Sequence, residues 1–270
     1  MPERILITGA AGIVGTFLRT RLATPDRTLR LLDIVPPTPA AADEQVEIVT
    51  GSISDPDVLA AAIDGVDAVV HLGGQSREDT WANILATNVD GTHSVLDAAR
   101  TAGVSRVILA SSNHAAGFRV VGEDGPDGLH ADTSPRPDTY YGVSKAAIEA
   151  LGALYHHRFG MDVICIRIGT CFEAPWDERG LATWLSPDDC GRLIEACLTA
   201  HNPGYRIVWG VSANTRRVCS LREAEELGYR PRDDAEQFAA KLSSGAAPPS
   251  GPVFMGGPFT TAPLGVHNPL

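Results

Sequence analysis

Short runs of aliphatic and β-branched residues alternate with helical patterns along the first half of the chain. Arg4–Thr8, Leu29–Asp33, Glu47–Thr50, Ala68–Leu72 and Val107–Ala110 read as strands. Ile13–Leu22, Pro56–Ile63 and a long Thr80–Ala102 stretch read as helices. The strands are near-continuous apolar runs, as in Val69-Val70-His71-Leu72 and Val107-Ile108-Leu109-Ala110. A strand open to water on one face would alternate; continuous runs mean helices on both faces. Beyond residue 138 the order continues with a helix over Thr139–Phe159, a strand over Asp162–Ile168, a helix over Pro187–Ala200 and a strand over Tyr205–Val211. This predicts an α/β fold built on a doubly wound parallel sheet.

Three segments break the pattern: Gly117–Asp138, Phe172–Ser186 and Asn214–Leu270. None marks a clean boundary, so residues 1–270 are expected to form a single domain. The segments at about 172–186 and 214–270 are expected to form a small C-terminal substrate-binding cap. It would lie over the carboxyl edge of the sheet, where open α/β sheets bind ligands. Ser243–Gly251 has the composition of a linker.

The first strand runs into Thr8-Gly9-Ala10-Ala11-Gly12-Ile13-Val14-Gly15, which then opens a helix. Gly9 permits the tight turn, Gly12 lets backbone approach a pyrophosphate, and Gly15 lets helix and strand lie close. The backbone of Ala11, Gly12, Ile13 and Val14 is thereby offered to phosphate, at a helix end carrying free N–H groups and partial positive charge. The fold is therefore expected to be Rossmann-type. Asp33, 18 residues beyond Gly15, ends the second strand. A carboxylate there accepts ribose hydroxyl protons and repels the 2′-phosphate of NADP, so NAD is the expected cofactor. Leu72-Gly73-Gly74 closes the fourth strand and leaves room for a ribose or diphosphate, while His71 reads as a satisfied core histidine.

Composition narrows the partners. The chain of 270 residues carries 33 acidic and 22 basic side chains, a formal net charge of −11. A nucleic-acid surface needs a clustered basic face, so no nucleic-acid partner is expected. No apolar run approaches the ~18–20 residues that span a bilayer, so no membrane partner is expected either. The five cysteines (Cys165, Cys171, Cys190, Cys197, Cys219) are odd in number and lack CxxC spacing. That points to free thiols and the cytoplasm, with no metal site. Met1 to Leu6 runs straight into the glycine turn, so no cleavable leader is expected.

Lys145 and Lys241 are the only lysines among 22 basic residues. The first lies in Tyr141-Gly142-Val143-Ser144-Lys145, one helical turn from a tyrosine on the same face. An ammonium there favours the phenolate and is expected to bring the tyrosine down toward the working range, as a base for an alcohol losing its hydride. A compact ammonium also leaves donors for a ribose hydroxyl, which an arginine fork does less well. Ser112, closing Val107-Ile108-Leu109-Ala110-Ser111-Ser112, would orient the reacting oxygen beside Tyr141. Asn88 lies mid-helix, where Asn is a poor helix former. It either positions the lysine through a water or makes a polar packing bond.

These residues resemble the extended short-chain dehydrogenase/reductase superfamily over about residues 3–215. Less general strings resemble its uronate dehydrogenase family across nearly the whole chain: Ser111-Ser112-Asn113-His114, Arg167-Ile168-Gly169-Thr170-Cys171, Trp184-Leu185-Ser186-Pro187-Asp188-Asp189 and Val208-Trp209-Gly210-Val211-Ser212-Ala213-Asn214. The resemblance implies NAD-dependent oxidation of cyclic galacturonate or glucuronate at C1 to an aldarolactone. By the same resemblance Tyr141 is the base, Lys145 its electrostatic partner and Ser112 the orienting hydroxyl. Ser76, Asn113, His114, Arg179 and Phe259 would contact the sugar. Thr170 stands where the family can carry serine, and Ile168 would border the cofactor. Ser52 departs from the aspartate that many relatives place there for the adenine, leaving the Ile53 backbone to serve. His114 could instead relay protons to solvent.

Two other functions share these features. A nucleotide-sugar epimerase or dehydratase uses the same tyrosine, lysine and serine, but only 125 residues follow Lys145, which favours a small, unactivated sugar. A non-catalytic NAD-sensing protein would have no need of a tuned base. A homo-oligomer is expected from the exposed helices of such a fold.

Overall fold

Apolar on both faces, the inner strands stack side by side under covering helices, while the edge strand around Ile48 stays partly open to water. The computed structural model describes residues 3–242 and 251–267. Seven strands form one sheet: β1 (Glu3–Thr8), β2 (Arg27–Asp33), β3 (Val46–Thr50), β4 (Ala68–His71), β5 (Arg106–Ser112), β6 (Asp162–Ile168) and, after the short pair β7 (Thr170–Cys171) and β8 (Trp184–Leu185), β9 (Tyr205–Gly210). Their order is β3-β2-β1-β4-β5-β6-β9, and every pairing is parallel. The chain reverses its direction of travel across the sheet between β1 and β4, the switch point at which such sheets open a crevice. The Rossmann-type architecture expected from the sequence is the one observed.

Alternate side chains of each strand enter different cores. Ile5, Ile7, Leu29, Leu31, Ile164 and Ile166 pack with Leu18 of α1 (Ile13–Arg21) on one face. Leu6, Leu32, Val69, Val107 and Val163 pack on the other with Leu59 of α2 (Pro56–Ile63), as do Val95 and Ile148 of two later helices.

The long helix expected over Thr80–Ala102 is interrupted. It consists of α3 (Trp81–Ile84), a π-helical turn over Leu85–Asp90 and α4 (Gly91–Thr101). The wide turn carries Asn88 into the interior, where it is 2% exposed. Such turns insert a residue to aim one side chain, a device that local propensity does not reveal.

Several helices start on side-chain caps. Asp55 accepts from Asp57 and Val58 N–H at 3.0 and 3.3 Å ahead of α2. Thr139 caps α5 (Tyr140–Phe159) through Gly142 N–H at 3.1 Å. After α6 (Gly180–Thr183), Ser186 caps α7 (Pro187–Thr199) through Asp189 N–H at 2.9 Å. By contrast, α1 has no side-chain cap and no acid in its first turn.

The segments expected to form a cap divide in two. Cys219, Leu221, Leu227 and Tyr229, around α8 (Arg222–Glu226), pack into the core beside α1 and α7. Leu181 and Trp184 form a satellite cluster with Ala235 and Ala239. Residues 251–267 run instead along the carboxyl edge of the sheet, with Met255 N–H donating to Arg119 O at 2.9 Å and Gly256 N–H to Gly117 O at 2.8 Å. Apart from Gly251, the linker-like stretch lies outside the described residues.

All five cysteines are free and buried. Among the described residues no helix is long and apolar enough to cross a membrane, and no group of three or more His, Cys, Asp and Glu side chains is placed to hold a metal ion.

Candidate active site

The glycine turn is fixed by close approach. Gly9 has φ of +68°, and a Cβ there would stand 2.7 Å from Gly73 N. A Cβ on Gly15 would stand 2.6 Å from Ala10 Cα. His71 seals this seam: its Nδ1 lies 2.7 Å from Thr8 Oγ1 and its Nε2 3.0 Å from Thr92 Oγ1. Thr92 spends its own proton on Asn88 O at 2.6 Å, so the histidine donates from Nε2 and accepts at Nδ1. Burial, with the Lys145 charge adding to it, pulls His71 down to about 3. It is a neutral core histidine, as the sequence indicated.

Asp33 lies under the same turn. Its Oδ2 accepts from Ala11 N–H at 2.9 Å and its Oδ1 from Val35 N–H at 3.0 Å, which leaves lone pairs on both oxygens for further donors. The uncapped first turn of α1 points its N–H groups at the same edge, as a phosphate requires. Alongside runs a groove of about 500 Å³ lined by Ala11, Ile13, Phe17, Phe172 and Trp176. The glycines, Asp33 and this donor-rich helix end fit an adenine dinucleotide without a 2′-phosphate. Leu72 and Ile168 are half-buried at strand ends bordering the crevice. Ile53 packs on α4, within 2.9 Å of where a Cβ on Gly91 would sit. Ser52 Oγ accepts from Ser54 N–H at 3.1 Å, a turn bond that leaves its proton free.

Across the switch point, α5 brings Tyr141 and Lys145 to the end of β5. Lys145 Nζ donates to Ala110 O at 2.7 Å and stands 5.4 Å from the Tyr141 ring centroid. Burial pushes the Tyr141 phenol up to about 12; hydrogen bonding from Ser112 opposes the rise, and the Asp138 charge adds to it. Burial also pulls Lys145 down to about 8, against the Glu149 charge that holds it up. Burial is the largest influence on Tyr141 here, so the phenol stands above its ordinary value rather than below it as expected. Farther down the helix, Glu149 forms a bidentate ion pair with Arg167, both bonds 2.8 Å and both side chains at most 3% exposed. The pair ties α5 to β6 and fixes the register of Tyr141 above it.

Asn88 is held by direct hydrogen bonds. Its amide bonds Gln75 O and Ser144 Oγ at 3.1 and 2.9 Å, and its oxygen accepts Gln75 N–H at 2.7 Å. Ser144 passes the link to Tyr141 O at 2.7 Å. The polar packing bond expected of Asn88 is present.

Residues expected at the sugar gather with the tail. Asn113 donates to Met255 O at 3.3 Å, and Arg179 Nη2 to the same carbonyl at 2.7 Å. Phe259 lies on the His114 ring with centroids 4.0 Å apart, and His114 meets Tyr141 edge-on at 5.8 Å. Burial lowers the Arg179 guanidinium from its ordinary value, against the charges of Asp177 and Asp138. Thr170 Oγ1 lies 2.9 Å from Thr183 Oγ1, on the short β7–β8 pair. Ser76 is exposed in the loop after β4.

Two buried acids escaped the sequence reading. Glu78 accepts Tyr141 N–H on one oxygen and Gly265 N–H on the other, both at 2.8 Å. Asp138 Oδ2 lies 2.7 Å from His114 Nδ1. Asp138 had a local signal, standing just before the helix-capping Thr139; Glu78, in Ser76-Arg77-Glu78-Asp79, had none.

A switch-point crevice facing a tyrosine and lysine one helical turn apart is the framework of the short-chain dehydrogenase class. A family model described as the NAD dependent epimerase/dehydratase family matches residues 5–182, and the chain belongs to that family. Within it the chain stands with the uronate dehydrogenases. It is 41% identical over 263 residues to a uronate dehydrogenase of Pseudomonas putida, covering 96% of each. The solved structure of a uronate dehydrogenase from Agrobacterium tumefaciens, a tyrosine-to-alanine mutant complexed with NAD, matches with TM-score 0.88 at 38% identity, over 97% of this chain and 98% of that one. An NAD-dependent glucose-6-phosphate dehydrogenase of Haloferax volcanii is 39% identical over 254 residues, 88% of this chain and 96% of the relative.

Proposed function

We propose that the chain oxidises a hexuronic acid, galacturonate or glucuronate, at C1 of its cyclic form to the aldarolactone, with NAD as oxidant. The observation that carries the reading is the meeting of Tyr141, Lys145 and Ser112 with a half-buried Arg179 at one edge of a dinucleotide-binding sheet. NAD, when bound, takes the C1 hydrogen with its electron pair. Its binding falls to Gly9, Ala11, Gly12, Ile13 and Val14 at the phosphates, Asp33 at the ribose, and Ser52, Ile53, Leu72, Gly73, Gly74 and Ile168 along the crevice. Tyr141 takes the C1 hydroxyl proton. Burial opposes its ionised form, and the two groups placed to favour that form are the Ser112 hydroxyl and the Lys145 ammonium. Arg179 offers its planar fork to the C6 carboxylate, a match that two parallel hydrogen bonds make specific. Asn113, His114, Thr170, Ser76 and Phe259 complete the sugar's surroundings, and residues 251–267 close them as the working part of the cap.

An NAD reduction assay with galacturonate, glucuronate, galactose and glucose 6-phosphate tests this. NADH is expected to accumulate with the uronates and only weakly with galactose. Equal rates on galactose would remove the carboxylate from the reading. Absence of NADH with every sugar would favour an epimerase, which returns its hydride.

A further inference from the structure

The Asp138 carboxylate is wholly buried, and the chain makes room for it from three directions. A Cβ on Gly117 or on Gly256 would collide with Oδ2, and one on Gly142 would stand 3.0 Å from Oδ1. One glycine follows β5, one opens the working turn of α5, and one lies in the tail. The carboxylate is therefore a joint where three parts of the site meet. Its oxygens are divided: Oδ1 accepts from Thr139 Oγ1 at 2.9 Å, and Oδ2 faces His114 Nδ1 at 2.7 Å. Thr139 spends its single proton there while its oxygen caps α5 through Gly142 N–H.

An ionised carboxylate only accepts, so the facing nitrogen of His114 must carry the proton. In a neutral imidazole the other nitrogen, Nε2, is then an acceptor. It has no hydrogen-bond partner among the described residues. The ring is held by the Phe259 face on one side and the Tyr141 edge on the other. We infer that Asp138 is a positioning residue that fixes His114 as its Nδ1–H tautomer, so that Nε2 accepts a hydrogen bond from a sugar hydroxyl beside the one Tyr141 deprotonates. This deepens the proposed sugar oxidation and rests on it for the identity of the hydroxyl.

The test is nitrogen NMR of the full chain labelled with ¹⁵N-histidine, with NAD bound and no sugar, His114 being assigned by its loss in His114→Gln. The expected spectrum has Nδ1 protonated and Nε2 bare at mildly alkaline pH. A protonated Nε2, in either a neutral ring or an imidazolium, overturns the inference, whatever sugar the enzyme uses. Asp138→Asn supplies the second arm, because an amide can turn either its oxygen or its NH₂ to the ring. It is expected to mix the tautomers and to cut kcat/KM about ten- to a hundredfold, mainly through KM, on whichever sugar the wild type oxidises. NAD affinity should not change. A variant with mixed tautomers but unchanged KM would also defeat the proposal.

Discussion

The two sides of the crevice are built by opposite means. On the cofactor side the chain presents backbone: glycines too close to their neighbours to carry a Cβ, and a helix end with no side-chain cap. On the sugar side it presents side chains drawn from β5, α5, the loop before α6 and the tail, joined by single bonds such as Arg179 to Met255 O. A backbone cradle binds what all users of a dinucleotide have in common. A side-chain cradle is where one sugar is told from another. Damage to the first should therefore act on every substrate alike, and damage to the second should act selectively.

The largest break should come from Tyr141→Phe. Loss of the hydroxyl removes the proton acceptor and leaves the phosphate cradle intact, so kcat is expected to fall ~10²–10⁴-fold with NAD affinity preserved by titration calorimetry. Next in size is Arg179→Ala. Truncating one partner of a desolvated charge pair costs about 2–5 kcal/mol, so kcat/KM on galacturonate should fall at least about thirtyfold. Any weak activity on galactose should be largely spared, and Arg179→Lys should recover only part of the loss. Galacturonate kinetics unchanged in Arg179→Ala would put the carboxylate elsewhere.

Asp33→Ala sharpens the comparison from the other side. Removing a charge-assisted acceptor of ~1.5–3 kcal/mol should narrow the NAD over NADP preference roughly ten- to a hundredfold, equally for every sugar. An unchanged cofactor ratio would mean that another residue reads the ribose. The smallest effect lies at His71, which is silent at neutral pH. Its folded pKa of about 3 lies below the ordinary 6.5, so the stability it contributes is complete above 6.5 and drains away as pH falls from 6.5 toward 3. The slope is at most ~1.4 kcal/mol per pH unit. By NMR the ring should remain neutral at pH values where a free imidazole is charged.

Legibility in the sequence follows the same division. Strand runs, helix spans and the glycine turn depend on neighbours in the chain, and their bounds were readable to within a residue or two. The wide turn at Asn88 was not, because it answers to Gln75 and Ser144, packed there by the fold. The tyrosine and lysine were readable as a pair, but their burial, which sets their proton affinities, depends on the whole sheet. Glu78 was out of reach for the same reason: its two partners lie 63 and 187 residues away.

The tail is moored by main-chain bonds and by a few side chains, Met255 in the core and Phe254 and Phe259 on neighbouring rings. Val121 N–H reaches Val253 O, Met255 N–H reaches Arg119 O, Gly256 N–H reaches Gly117 O, and Glu78 holds Gly265 N–H. The main-chain bonds are indifferent to most side chains, which makes this stretch, Met255 and Phe254 apart, an exchangeable part. Directed evolution toward other aldoses should find its freest ground there, with Phe259 available for replacement while the glycines at 256 and 257 stay put.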